Sequence, residues 1–159
     1  MRYTRLSKEQ FEELHQEFIN FLATQSITAE EWTTIKKKQP QVAEEELDIF
    51  SDLVWEKVLQ TAKYLEHLSP NQMHLFELGA DKMSLIAIKV DQPDIDIRSK
   101  EGYQWLQEHL DDETVVFMSA SKAYGEEPNL DKFKLIQQGA AITKGDLFRW
   151  FARFVEIKE

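Results

Sequence analysis

Between Ser69 and Gln72 the hydrophobic pattern of this chain changes period, and that switch limits which folds are open to it. On the N-terminal side apolar residues recur every three or four positions, as on one face of a helix. On the C-terminal side short runs alternate or cluster between turn residues, as in strands. A chain that places helices first and strands later is expected to fold as α+β, with a small, mainly antiparallel sheet and covering helices. At 159 residues one domain is expected, its helical part over about 1–68 and its mixed part over about 69–159.

The helical part carries clear start signals. Ser7 can cap a first helix, with Gln10 three residues on and Leu6 and Phe11 placed as a hydrophobic staple. Phe11, Leu14, Phe18, Phe21 and Leu22 then share a stripe, which predicts a helix over about 8–24. Thr28 with Glu31 opens a second helix, closed by Lys36, Lys37 and Lys38, where cations suit the negative end of the dipole. Pro40 forces a break and can begin the next helix. The spacing of Leu47, Phe50, Val54, Val58, Leu65 and Leu68 predicts the longest helix, from about Val42 to Leu68. Ile49, Leu53, Trp55 and Leu59 lie outside that stripe and predict neighbours on more than one side.

In the mixed part "MHLFEL" and "MSLIAIKV" read as strands joined by a hairpin turn at "GADK". "DIDI" at 94–97 reads as a short third strand, and Ser99 opens a helix carrying Tyr103, Leu106 and Leu110. "TVVFM" at 114–118 is a further strand, followed by the polar segment "SASKAYGEEPN", read as a loop. A short helix over 129–138, stopped by Gly139, precedes the aromatic tail.

Charge and composition exclude some functions. The formal charge of −10 disfavours nonspecific nucleic-acid binding, which depends on Lys and Arg neutralising phosphates. The acids are unevenly placed: residues 91–131 hold eleven acids against three bases, a region suited to solubility or to a basic partner. With no cysteine, disulfides and thiolate chemistry are out, and no apolar run approaches bilayer length. The N-terminus lacks a signal-peptide pattern, so a cytoplasmic location is expected.

No motif assembles a catalytic centre. "SASK" at 119–122 matches the Ser-x-x-Lys of penicillin-interacting serine enzymes, but no Ser-Asp-Asn or Lys-Thr-Gly accompanies it. Ser119, Ser121, Lys122 and Tyr124 are therefore kept only as candidates in a functional loop. Asp94 and Asp96, two apart on a strand, would point to one face and could share a hard cation such as Mg²⁺. The Glu-x-Lys element of sheet-built nucleases would need an acid at Ala87, two before Lys89. His15, His67, His74 and His109 lack metal-ligand spacing. With five glycines, no Gly-x-Gly-x-x-Gly and no Walker loop, no cofactor is expected.

The aromatic tail is the strongest remaining feature. Projected as a helix over 147–157, its apolar side chains, Ile157 included, cover roughly 220°, about twice what a surface helix needs. Such a helix is sunk in a groove or shared with a second molecule, and Phe148, Trp150 and Phe154 are the candidate interface residues.

The segments "INFLATQSITAEEW", "EEELDIFSDLVWE" and "LFELG" resemble a family of small, uncharacterised bacterial cytosolic proteins. The resemblance implies a bacterial, soluble protein and transfers no activity or site residue. The resulting expectation is a non-enzymatic protein-protein interaction or adaptor protein, with an unidentified protein partner or a second copy of itself. The alternative is a small metal-dependent hydrolase using Asp94 and Asp96.

Overall fold

A computed structural model describes residues 1–155 of the chain. It is an α+β protein that gathers into two compact units, one over Met1–Gln60 and the other from Thr61 onward.

The first unit holds α1 (Lys8–Glu13), α2 (His15–Thr24), α3 (Ala29–Lys38) and most of α4 (Pro40–Thr61). Both bonds of the Ser7 capping box form: the Gln10 N–H donates to the Ser7 hydroxyl at 3.1 Å, and the Ser7 N–H to Gln10 Oε1 at 2.8 Å. The single helix expected over 8–24 is two, because Leu14 leaves helical dihedrals (φ −100°, ψ 22°) and caps both. The aromatic rings of the stripe nevertheless converge. Phe18 meets Trp32 edge-on at 5.2 Å and Phe50 at 5.0 Å, the arrangement that ring quadrupoles favour. Of the residues outside the α4 stripe, Leu59 is fully buried, whereas Ile49 and Leu53 face solvent.

A ladder of acids on α4 fastens the segment before α1. Glu44, Asp48, Asp52 and Glu56 stand four apart, so they line one side of the helix. Asp52 accepts the backbone N–H groups of Arg2 (2.7 Å) and Tyr3 (2.9 Å). Arg5 pairs with Asp48 and Glu44, and Tyr3 bonds Glu56. Buried Ser51 accepts the Leu6 N–H at 3.1 Å. The strap before α1 is thus zipped along α4 by acids spaced four apart, from Glu44 near its start to Glu56 in its second half.

The second unit is a five-stranded sheet in the order β4-β3-β2-β1-β5, antiparallel throughout. The expected hairpin is present as β2 (Gln72–Leu78) and β3 (Lys82–Val90). Three expectations fail. The long helix stops at Thr61, and Tyr64–Ser69 forms β1, paired with β2 through a turn at Pro70 and Asn71. "DIDI" is not a strand but a chain of turns, in which the Ile97 N–H donates to the Pro70 carbonyl at 2.9 Å and the Ile97 side chain is buried. β4 runs over Val115–Ala123, so the first half of the expected loop is strand. A three-residue strand, β5 (Ala141–Thr143), pairs with β1 and has no counterpart in the sequence reading.

Register assigns the faces. One face gathers Met73, Leu75, Ile86, Ile88 and Val115, and it packs with Leu106 of α5 (Lys100–Glu108) and with Phe148 and Phe151 of α7 (Asp146–Phe151). The other carries Leu65, Phe76, Leu78 and Met83, packed with Leu135 and Ile136 of α6 (Pro128–Gln137). α7 is shorter than the helix expected over 147–157: it ends at Phe151, and Ala152–Phe154 turn away. Ile157 lies outside the described residues. Gly145 begins α7 at φ +85°, where a Cβ would come within 2.4 Å of the Tyr64 ring. Only glycine fits there.

Candidate interaction surface

β4 reverses the usual sense of an amphipathic strand. Val115 and Phe117 contribute to the covered core, but further along the same face stand the hydroxyls of Ser119 and Ser121, both half-buried. The opposite face carries Val116, Met118, Ala120 and Lys122, all exposed, with Met118 at 63% and Val116 at 50%. Alternation is intact, yet apolar side chains meet water while hydroxyls lie on the covered side. A strand normally does the opposite.

The exposed residues adjoin a groove. Phe76, Met83, Leu85, Ala120, Lys122 and Leu135 line a mainly apolar cleft of about 300 Å³. β4 supplies one wall and α6 another, and Lys122 sets a single cation among the apolar residues. Beyond the strand, the Tyr124 hydroxyl donates to the Gly79 carbonyl at 2.8 Å, and the buried Lys132 ammonium lies 5.6 Å from its ring centroid. Burial first, then the charge of Asp131, raises the Tyr124 phenol above its ordinary value. The Tyr124 side chain is thus anchored to the Gly79 backbone just beyond the end of β4.

The Ser-x-x-Lys match dissolves in this geometry. Ser119 and Lys122 are three apart on a strand, so they leave opposite faces of the sheet. The helical turn that would bring lysine to serine is absent.

Asp94 and Asp96 do not share a strand face either. Asp96 accepts from the Arg98 backbone N–H (2.9 Å) and from its guanidinium (2.9 and 3.1 Å), and these bonds hold its carboxyl below the usual range. Asp94 is exposed in the preceding turn. Among the described residues, no three His, Asp or Glu side chains are grouped to hold a metal ion. The histidine rings of His67 and His74 do face each other across β1 and β2, 6.3 Å apart between centroids. Burial, then the neighbouring His67, lowers the His74 pKa.

Of the tail residues, Phe148 belongs to the core at 3% exposure and leaves the candidate surface. Trp150 is half-buried, packed edge-on against Phe151 at 4.7 Å. Phe154 is 55% exposed and lies against Trp150 at 4.9 Å. The structure thus leaves Trp150 and Phe154 together and removes Phe148 from them.

Register also aligns a polar row that sequence reading missed. Thr143, Tyr64, Glu77, Ser84 and Ser121 sit side by side across all five strands. The Tyr64 hydroxyl donates to Glu77 at 3.3 Å, and the Arg149 guanidinium lies 5.3 Å from the Tyr64 ring centroid. In the next row burial pushes the Glu66 carboxyl up. Each residue is ordinary in its own strand, and only strand pairing brings them into line.

This chain belongs to a family of unknown function, DUF6495. The family model matches residues 1–156, nearly the whole length. No curated protein and no solved structure matches the chain. Among the described residues of this DUF6495 member no helix is long and apolar enough to cross a membrane.

Proposed function

We propose that this protein is a non-enzymatic interaction protein of the bacterial cytosol, which docks a protein segment on the outer face of β4 and in the adjoining groove. One observation carries the reading: Val116 and Met118 are exposed on a regular strand beside a 300 Å³ apolar cleft. Covering a Val or Met side chain contributes about 1.5–3 kcal/mol, so a partner seated there gains what the isolated chain forgoes. Lys122 favours a partner segment with an acid near one end. A second copy of the chain is the first occupant to test, since self-association at an apolar patch needs no other component.

Sedimentation velocity over a concentration series, together with affinity capture from the native cytosol, tests the reading on wild type and Met118→Glu. Met118 is exposed, so the variant should keep the wild-type melting temperature. It should lose self-association or the captured protein. A wild type that stays monomeric and captures the same proteins with and without Met118 would end the proposal.

A further inference from the structure

The first unit carries a second cavity, of about 450 Å³, whose chemistry differs from that of the β4 groove. Its floor is aromatic: buried Phe18 with half-buried Phe11 and Trp32. Its rim is basic. Lys8 of α1, His15 of α2 and Lys36 of α3 come from three separate helices to the same opening, and all three are exposed.

That convergence runs against the sign of its surroundings. Residues 1–60 hold twelve acids and seven bases, yet only Glu12 among the cavity-lining residues is acidic. Arg5 also lines the cavity, but Glu44 and Asp48 already hold its guanidinium. Lys36 stands 6.0 Å from the Trp32 ring centroid, so a cation and an apolar ring are offered side by side. The volume falls within the range of small-ligand sites, about 300–1,000 Å³.

We propose that this cavity binds an apolar group bearing a carboxylate, its apolar body on Phe11, Phe18 and Trp32 and its charge on the basic rim. A neutral apolar ligand would gain the floor but leave the cations unused. A polar anion would gain the rim but leave the rings wet. Only the combination uses both, because a charge-assisted contact and apolar burial act on the same molecule. The same chemistry occurs in a free organic acid and in a peptide that ends in an aromatic residue.

Nuclear magnetic resonance of the whole chain, read at the Trp32 indole N–H, tests this. The probes are phenylbutyrate and its neutral amide, and an acetylated tripeptide ending in phenylalanine with a free or amidated C-terminus. One of the two carboxylates should shift the Trp32 resonance at millimolar concentration or below, and its amide should bind about tenfold more weakly. Lys8→Ala/Lys36→Ala should weaken the carboxylate by a similar factor, while the amide is unaffected. Tighter binding of phenylbutyrate assigns a small organic acid, and tighter binding of the free-ended peptide assigns a chain terminus. If acid and amide bind equally, or if no probe moves Trp32, the proposal is overturned. The acid-amide comparison on wild type decides even if the double variant fails to fold.

Discussion

Tyr3 donates its phenolic hydrogen bond to Glu56, 53 positions along the chain. Burial, then this bond, then the charge of Glu56 push the phenol up to about 12, from an ordinary value of about 10. A group whose folded pKa is raised contributes stability that is complete below its unfolded pKa and lost as pH rises through the folded one. The strap should therefore loosen between about pH 10 and 12. Tyr3→Phe should lower stability at neutral pH by about 1.5–3 kcal/mol, the range for a hydrogen bond to a charged group. It should also flatten the alkaline loss. Urea unfolding midpoints at several pH values would show this, and parallel curves for the two proteins would contradict it.

Phe151 has no exposed surface and touches Phe117, Tyr103 and Trp150, so its truncation empties a central core position. Phe151→Ala should cost about 3–5 kcal/mol in chemical denaturation. Phe154→Ala should change stability by no more than about 0.5 kcal/mol, because its ring is largely in water. Similar losses from both would mean that the tail is core on every side.

Gly102 sits in the first turn of α5, and a Cβ there would lie 1.9 Å from the Asp96 carbonyl oxygen. That atom is backbone and cannot swing aside. Gly102→Ala should force the 96–102 turn open, costing about 1–3 kcal/mol, as overpacking does elsewhere. Gly125→Ala, which would meet only Asp131 carboxylate oxygens at 3.5 and 3.9 Å, is the matched control. Thermal melts should separate the two clearly.

Asp96 is occupied by Arg98, and Asp94 stands outside that pair. Millimolar Mg²⁺ or Mn²⁺ should leave the melting temperature of wild type and of Asp94→Asn unchanged, since a ligand raises it only by binding the native state. A metal-dependent rise that Asp94→Asn abolishes would restore the hydrolase alternative.

Helix starts were legible because the capping residues act locally. Ser7, Thr28, Pro40 and Ser99 each begin a helix where sequence places it. The end of α4 was not. Leu65 and Leu68 continue its stripe in phase, and no Gly or Pro interrupts before Pro70. Only pairing with β2 turns these residues into a strand that sends Leu65 and Leu68 to opposite faces. "DIDI" erred the other way, since alternation without a partner strand is a turn with one anchored isoleucine.

The candidate surface stayed hidden for a related reason. A period of two reveals that a strand has two faces but not which is covered. The serines at 119 and 121 made the second half of β4 read as a loop, and the strand expected over 114–118 carried no sign of which face Val116 and Met118 would take. The cavity in the first unit needed three helices to meet, and no local pattern contains that.

The strap has a consequence for synthesis. Arg5 leaves the ribosome 39 residues ahead of Glu44, and Tyr3 is 53 ahead of Glu56. Until α4 is made, the Arg2, Tyr3 and Leu6 amides lack the Asp52 and Ser51 acceptors they have in the folded chain, and each bond to α4 then closes a loop of some forty to fifty residues against chain entropy. This segment is thus secured only after α4 follows it, and a nascent chain halted before Asp52 would carry residues 2–6 undocked from that helix.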